Sequence, residues 1–187
     1  MNKRHWIFGV TTFSALILIL FSLNYAQSQG DRIQRGKYLV DTIGACGSCH
    51  TPRKGASLDM SMYLAGHPAN ESYPKYDFSM MQQGIFVLTS ITMTAFSGPF
   101  GTSFAANLTP DKETGLGEWT EKMFIDTLRT GLHQGVQGNR KVFPPMPTKN
   151  YANMSDEDLK AIFAYLKSIK PISNEVPSAL NSRGRPF

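Results

Sequence analysis

The sequence predicts a mainly helical domain that carries a long, partly irregular insert. Three segments show helical periodicity and helix-end signals, at residues 31–43, 120–130 and 156–170. Residues 58–106 lack that pattern, are rich in glycine, proline and aromatic side chains, and hold five of the nine methionines. A basic and then apolar N-terminus indicates that the domain is exported.

The first two predicted helices are bounded by caps and glycines. The first is capped by Asp31 and stopped by Gly44, and the second is capped by Thr120 and stopped by Gly131. The apolar positions expected to face the core are Ile33, Leu39, Val40, Phe124 and Leu128.

The last helix has the clearest pattern. Ser155 and Asp158 form a capping-box pattern at its start, and Pro171 ends it. Its apolar side recurs with helical period at Leu159, Ile162, Phe163, Leu166 and Ile169.

The insert predicts a short β-hairpin. Residues 85–91 are β-like, residues 92–96 alternate, and residues 97–101 read as a turn. The polar C-terminus predicts a flexible tail. The chain is therefore divided into an export segment at residues 1–28, one domain at residues 29–177 with the insert at residues 58–106, and a tail at residues 178–187.

The export segment has two interpretations. Lys3 and Arg4 precede an apolar stretch at residues 7–23, and Ala26 and Ser28 are the small residues that a signal peptidase requires. The length and flanks favour removal as a signal peptide. The alternative is a retained membrane anchor, although the 17 residues of the stretch are at the lower limit for a spanning helix.

Composition narrows the function classes. The 187 residues carry 19 basic and 14 acidic side chains, a net charge of +5. Without Lys3 and Arg4 of the export segment the net charge is +3, too small an excess for a nucleic-acid binder, which needs a clustered basic face. We therefore expect no nucleic-acid partner. A hydrophobic content of 41% with 18% charged residues excludes a wholly disordered chain. Two cysteines are too few for a disulfide framework or an all-cysteine zinc site.

The motif that carries chemistry consists of Cys46, Cys49 and His50. Residues three apart on a helical turn face the same side, so both thiols can form thioethers to the vinyl groups of one porphyrin. The imidazole of the next residue can then bind the iron. The spacing therefore predicts covalent attachment of c-type haem.

Other interpretations of the cysteine pair are weaker. A thiol–disulfide oxidoreductase is disfavoured by the histidine after the second cysteine and by the lack of a βαβ pattern nearby. A zinc site needs more ligands, and only His67 and His133 remain outside the export segment. Chance is disfavoured because the motif uses every cysteine of the chain.

Met146 is the best candidate for the second axial ligand. It lies among prolines at residues 144, 145 and 147, and prolines can hold a loop against a haem face with little ordering cost. Met154, at the entry of the last helix, is a weaker candidate. A bis-histidine haem would use His67 or His133, which we interpret instead as ordinary loop histidines.

These residues resemble the cytochrome c family, and within it bacterial periplasmic cytochromes and cytochrome subunits of membrane dehydrogenases. Residues 58–106 lie mostly outside the resemblance, because compact members have little chain there. The single haem motif implies one haem. The matching segments are residues 35–40, 50–53, 107–111, 114–120, 145–147 and 164–166.

The resemblance implies an all-α domain whose first and last helices cross beside the haem. Gly36 would be the point of close approach, with Tyr165 or Leu166 packed on it. The Pro110 region would supply the carbonyl that accepts the His50 Nδ1–H hydrogen bond. The candidates for hydrogen bonds to the haem propionates are Arg53, Asn107, Thr109 and Trp119. Trp119 is alternatively a core aromatic, and Thr109 with Pro110 alternatively forms a turn.

The resemblance also implies an electron carrier and not an enzyme. Its cofactor would be one covalent haem c with His50 and Met146 as axial ligands, and its partners a dehydrogenase and a terminal oxidase. It would lie in the periplasm, soluble or tethered to the inner membrane by residues 7–23. The alternatives are a haem enzyme or gas sensor with an open sixth site, and a haem-free thiol oxidoreductase. The insert either covers a haem edge, docks a partner or forms a subdomain with its own small core.

Overall fold

The computed structural model describes residues 22–186. Residues 1–21, with most of the predicted export segment, lie outside this part. Within it, no helix combines the length and hydropathy of a membrane span. The helices are α1 (residues 22–38, continued by a π-helical turn at Leu39–Ile43), α2 (Gly47–His50), α3 (Ser79–Gln82), α4 (Glu121–Thr130), α5 (Thr148–Tyr151) and α6 (Asp156–Ser168). The strands are β1 (Arg53–Lys54), β2 (Ser57–Leu58), β3 (Leu88–Thr89), β4 (Ala95–Gly98) and β5 (Gly101–Phe104), and short 3₁₀ turns occur at Met60–Met62 and His133–Gly135.

The predictions for α4 and α6 are confirmed. The Thr120 hydroxyl accepts the Met123 backbone N–H at 3.1 Å, and Gly131 ends α4 with a left-handed φ of 68°. The Ser155 hydroxyl caps α6 by accepting the Asp158 N–H at 3.1 Å. The second half of the capping box does not form, because the Asp158 carboxylate binds Arg35 instead.

The start of the first helix was predicted wrongly. The chain is already helical at residue 22, so Asp31 lies inside α1 and does not cap it. Its carboxylate accepts a hydrogen bond from Gln27 Nε2 at 3.0 Å, one helical turn earlier. The predicted stop is confirmed, since the π-helical turn closes with the Gly44 N–H bonded to the Leu39 carbonyl at 2.7 Å.

The first and last helices meet in backbone contact at Gly36. A Cβ atom there would lie 1.9 Å from the Ala161 carbonyl oxygen and 2.8 Å from Tyr165 Cβ, so only glycine fits. This confirms Gly36 and Tyr165 as the crossing point. The buried core around the crossing consists of Leu39, Val40, Leu64, Leu116, Phe124, Leu128, Leu159, Ala161, Ile162, Phe163, Tyr165 and Leu166.

The predicted hairpin exists, with a shorter turn than expected. Strand β4 pairs antiparallel with β5 and also with β3, and Gly98 faces Gly101 across a two-residue turn. Ser97, predicted to lie in the turn, belongs to β4, where it pairs with Leu88 and Thr102. Its hydroxyl also contacts Thr102 at 2.9 Å and donates to the Pro74 carbonyl at 2.6 Å. The predicted helical fold is confirmed in its helices. The term all-α is incomplete, because the structure also contains two small sheets.

The insert has a core of its own that is partly polar. Buried hydroxyls of Ser90, Thr92 and Thr94 form a chain with contacts of 3.0 and 2.8 Å, which reaches the fully buried His67 ring at 2.9 Å. The amide of Asn174 donates to the carbonyls of Ala65 and His67 and accepts the Ala69 N–H. These bonds attach the insert to the segment that follows α6.

The part of the insert from residue 78 onward exposes apolar side chains and carries no charge. No charged residue occurs from residue 78 to residue 110. Phe78, Phe86 and Ile91 are 56%, 59% and 87% exposed. Whether this part docks a partner stays a prediction.

The C-terminal segment contacts the hairpin. Leu180 and Thr102 exchange both backbone hydrogen bonds at 2.9 Å. Gly101 makes this approach possible, because a Cβ atom there would lie 2.1 Å from the Leu180 carbonyl oxygen. The flexibility expected for residues 178–187 stays a prediction.

Candidate haem-binding site

The haem motif lies on the single turn of α2. The Cys46 N–H donates to the Val40 carbonyl at 3.0 Å, which joins the motif to the end of the first helix. The His50 N–H donates to the Cys46 carbonyl at 2.9 Å, so the motif is helical. This turn brings Cys46 and Cys49 to the same side, as the spacing predicts.

His50 is oriented by one hydrogen bond. Its imidazole is buried, and Nδ1 lies 2.8 Å from the Ala106 carbonyl oxygen. A carbonyl can only accept, so Nδ1 carries the proton, and in a neutral ring Nε2 is unprotonated, as a metal ligand must be. Burial lowers the pKa of His50, which favours the neutral ring that a metal requires. The Pro110 region does not provide the acceptor, so that expectation was wrong.

The residues after His50 are braced by the beginning of the insert. The Gly66 N–H donates to the His50 carbonyl at 2.8 Å, and the Leu64 N–H donates to the Thr51 hydroxyl at 2.9 Å. A Cβ atom on Gly66 would lie 2.4 Å from the Ala105 carbonyl oxygen, so this contact requires glycine. The insert therefore contacts both the backbone of His50, through Gly66, and its ring, through Ala106.

The two thiols are not activated for redox exchange. Burial raises the pKa of Cys46 to about 11 and also raises the pKa of Cys49. A thiol–disulfide oxidoreductase instead needs a thiolate, and its reactive cysteine has a lowered pKa. The zinc alternative requires several histidine, cysteine, aspartate or glutamate side chains grouped around one metal ion. In the described part of the chain, no group of three such side chains occurs.

Met146 and the haem motif pack against the same hydrophobic core. Met146 is half-buried and packs against the same core cluster as Cys46. Tyr151, on α5 shortly after Met146, donates its hydroxyl to the Gly44 carbonyl at 3.1 Å. Burial and the nearby cysteines raise the pKa of Tyr151 to about 12. Met154 also packs against the core, so burial alone does not separate the two methionines.

The two loop histidines differ. Both ring nitrogens of His67 have partners, Thr94 Oγ1 at 2.9 Å and the Glu71 carbonyl at 3.3 Å, and the residue is fully buried. His67 is therefore a structural residue of the insert. His133 packs edge-on against Trp119 with ring centroids 5.5 Å apart.

The residues fit a haem with propionate groups. Arg53 Nε is buried without a hydrogen-bond partner among the described residues, while Nη1 donates to the Ala56 carbonyl at 3.1 Å. A buried guanidinium nitrogen with no acceptor fits a carboxylate group from a cofactor. The fit supports Arg53 as a propionate ligand.

The other propionate candidates fare differently. Asn107 Nδ2 donates to Thr114 and to the Ile172 carbonyl, and Asn107 Oδ1 accepts both the N–H and the hydroxyl of Thr109. Asn107 and Thr109 therefore hold the chain after α6 in place, and these bonds do not support them as propionate donors. Trp119 packs against the core, and its propionate role stays a prediction.

Sequence reasoning missed the supporting residues of the site. Ala106 acts through a backbone carbonyl, which leaves no side-chain signal in the sequence. Ser103 donates to the Pro144 carbonyl at 2.7 Å, a contact between residues 41 positions apart. The tyrosine of α5 could have been noticed only as an aromatic residue near a short helix.

The fold and the cysteine–histidine motif are those expected of a haem protein of the c type. The family model for cytochrome c matches residues 33–170, which is more than half of the chain. The chain therefore belongs to the cytochrome c family. It is an electron-transfer protein by this membership, and covalently bound haem c is the cofactor that the family implies.

The chain is also similar to cytochrome subunits of dehydrogenases. The gluconate 2-dehydrogenase cytochrome c subunit of Pantoea cypripedii is 27% identical over 181 residues, covering 91% of this chain and 33% of that protein. The fructose dehydrogenase cytochrome subunit of Gluconobacter japonicus is 35% identical over 164 residues, covering 87% of this chain and 26% of that protein. The cytochrome c subunit of the quinone-dependent alcohol dehydrogenase of Gluconobacter oxydans is 27% identical over 166 residues, covering 87% of this chain and 27% of that protein. The chain thus spans about a third or less of the length of these relatives.

Proposed function

We propose that the protein carries electrons on one haem c, attached through Cys46 and Cys49, with His50 and Met146 as axial ligands. The observation that carries the proposal is the buried imidazole of His50, whose Nδ1–H is held by Ala106 at 2.8 Å beside two half-buried thiols. One motif in the sequence supports one haem. When bound, the haem would supply a reversible one-electron iron couple.

The protein side chains define what this couple can do. His50 presents a neutral nitrogen whose direction the Ala106 carbonyl sets. Met146 would present a thioether, which would favour the reduced state and raise the reduction potential. If His50 and Met146 both bound the iron, substrate and gaseous ligands would find no free position on it. Arg53 would donate the hydrogen of its unpaired Nε–H to a propionate and limit the exposure of that propionate to water.

We propose a dehydrogenase as the electron donor and a terminal oxidase as an acceptor. Support for the donor comes from the names of the relatives, which are dehydrogenase subunits. The basic and apolar N-terminus supports export to the periplasm, as a soluble protein or one tethered by residues 7–23. Weak docking over a small area is typical of such redox partners.

The proposal is tested on protein produced in a host that attaches haem c. The intact mass should equal that of the processed or full polypeptide plus one haem, and the ferric form should be low-spin with a methionine–iron charge-transfer band. Met146→Ala should abolish the band, open the site to carbon monoxide in the ferrous state and lower the potential. Met154→Ala and His133→Ala are the matched controls and should keep the band.

Other outcomes decide between the alternatives. A Met146→Ala variant that keeps the band would overturn the assignment of Met146, and loss of the band in Met154→Ala would move the ligand there. A high-spin wild-type protein that binds carbon monoxide would favour a haem enzyme or gas sensor. A mass without haem would revive the thiol oxidoreductase.

A further inference from the structure

We propose that strand β5 and the residues flanking it position both axial ligands, with Ser103 and Phe100 acting on the loop of Met146. The inference rests on the proposed function, because it takes His50 and Met146 as the ligands. It assigns to the insert a positioning role toward the iron.

The hairpin contacts two adjacent residues of the methionine loop. The Ser103 hydroxyl donates to the Pro144 carbonyl at 2.7 Å. The rings of Phe100 and Phe143 meet in a T-shaped contact with centroids 6.1 Å apart and planes at 65°. The two contacts hold two adjacent residues of the loop, so they restrain both where the loop lies and how it is oriented.

These two contacts lie at the base of the turn that carries the ligand. The Met146 N–H donates to the Phe143 carbonyl at 3.2 Å, and the Thr148 N–H donates to the Met146 carbonyl at 2.9 Å. The loop is anchored before this turn by the Val142 N–H on the Gly131 carbonyl at 2.8 Å. A shift of residues 143 or 144 would therefore be transmitted directly to the thioether.

The same strand leads to the support of the histidine. Only three positions separate Ser103 from Ala106, whose carbonyl holds His50 Nδ1 at 2.8 Å. Between them, Ala105 is fixed on both sides, since its N–H donates to the Thr94 carbonyl at 2.8 Å and its carbonyl accepts the His67 N–H at 2.9 Å. One short segment thus contacts the supports of both ligands.

The segment is itself held firmly. Thr102 is buried and exchanges both backbone hydrogen bonds with Leu180, while its hydroxyl contacts Ser97 at 2.9 Å. A positioning element must be rigid to fix a ligand. Strand β5 has partners on both of its edges, β4 on one and the C-terminal segment on the other.

The consequence is a measurable restraint on the thioether. Movement of its loop would help the methionine to leave the iron, and the Ser103 hydrogen bond and the Phe100 ring contact both oppose that movement. A single hydrogen bond or aromatic contact of this kind corresponds to roughly a fivefold change in an equilibrium or rate.

The test measures how fast imidazole replaces the thioether in the ferric holoprotein, followed by loss of the methionine–iron charge-transfer band. Ser103→Ala and Phe100→Ala should each raise this rate about fivefold. Ser103→Thr keeps the hydroxyl and should restore the wild-type rate. The matched controls are Thr89→Ala and Phe86→Ala, which change exposed residues of the insert and should leave the rate unchanged.

Each result has a defined meaning. Wild-type rates in both Ser103→Ala and Phe100→Ala would overturn the inference, as would equal acceleration in the Thr89 and Phe86 controls. A band that persists in Met146→Ala would instead refute the proposed ligand set. Band loss in Met146→Ala combined with unchanged rates in the hairpin variants would leave the proposed function standing and reject only the positioning role.

Discussion

The helical core and the insert are stabilised by different kinds of interaction. In α4 and α6, apolar side chains such as Phe124 and Leu159 recur with the helical period and are buried, and each helix begins at a local hydroxyl cap. In the insert, the buried groups include Thr94, His67 and Ser97, which are paired with residues far away in the chain. The comparison shows that one half of the site is encoded locally and the other by long-range polar contacts.

The proposed iron site lies where these two regions meet. His50 belongs to a helical turn of the core, whereas the carbonyl that orients it belongs to the insert. Met146 follows the same division, because its loop runs into α5 but contacts Ser103 of the hairpin. Perturbing each region separately should therefore have distinct effects.

The largest effect is expected at the helix crossing. Gly36→Ala would place a Cβ atom 1.9 Å from the Ala161 carbonyl oxygen, so the two helices must separate. We expect a loss of about 3 kcal/mol in the free energy of unfolding. Denaturant unfolding of the holoprotein would measure it.

Gly30→Ala is the control within the same helix. A Cβ atom there would meet nothing within 4 Å. Because nothing opposes the added methyl group, this variant should lose no stability. Equal stability of the two variants would contradict the assignment of Gly36 as the crossing point.

The next effect sharpens the account of the insert. Asn174→Ala would leave the carbonyls of Ala65 and His67 without their amide donor and the Ala69 N–H without its acceptor. We expect a loss of about 2 kcal/mol in the free energy of unfolding. The insert should also be cleaved faster than the core by a protease under native conditions.

Asn153→Ala provides the matched comparison. Its amide is exposed and donates only within its own turn, to the Lys149 carbonyl at 2.9 Å. Its loss should change stability by less than about 0.5 kcal/mol. If Asn174→Ala unfolds the helices and the insert together without faster cleavage of the insert, the two regions are not separable.

The smallest effect concerns a surface ion pair of the helix crossing. The hydrogen bonds from Arg35, at 2.8 and 3.2 Å, lower the pKa of Asp158. A carboxyl whose pKa is lower in the folded state stabilises the protein above its unfolded pKa of about 3.9, and this stabilisation is lost as the pH falls through the lowered value. The pair is solvent-exposed on the arginine side, so we expect about 0.5 kcal/mol.

Asp158→Asn should reduce the loss of stability on acidification below about pH 4. The difference between variant and wild type, measured by thermal unfolding across that range, should shrink at high salt. A wild-type acid profile in Asp158→Asn would show that the pair contributes nothing measurable.

Much of the helical core could be predicted because its signals are local. Thr120, Gly131 and Ser155 mark helix ends by side-chain or backbone chemistry that a short window of sequence contains. The start of α1 could not be predicted from Asp31, because an aspartate also bonds to a residue one turn earlier inside a helix.

The side chains of the candidate site could be predicted from the sequence, but the backbone groups that support them could not. The spacing of Cys46, Cys49 and His50 carries a chemical requirement, so a motif of five residues predicts it. The backbone carbonyl of Ala106 leaves no such signal in the sequence, because every residue has a backbone carbonyl. Asn107 and Thr109 were assigned to the cofactor from resemblance, yet their hydrogen bonds turn inward to the Ile172 carbonyl.

The joining of Arg35 to Asp158 has a consequence for how the molecule is made. These residues are 123 positions apart, so nearly the whole domain must be synthesised before the first helix can contact the last helix. Closing so long a loop is entropically costly and slow compared with forming a local helix. Until that closure, the two thiols lie on an open chain and remain accessible for modification.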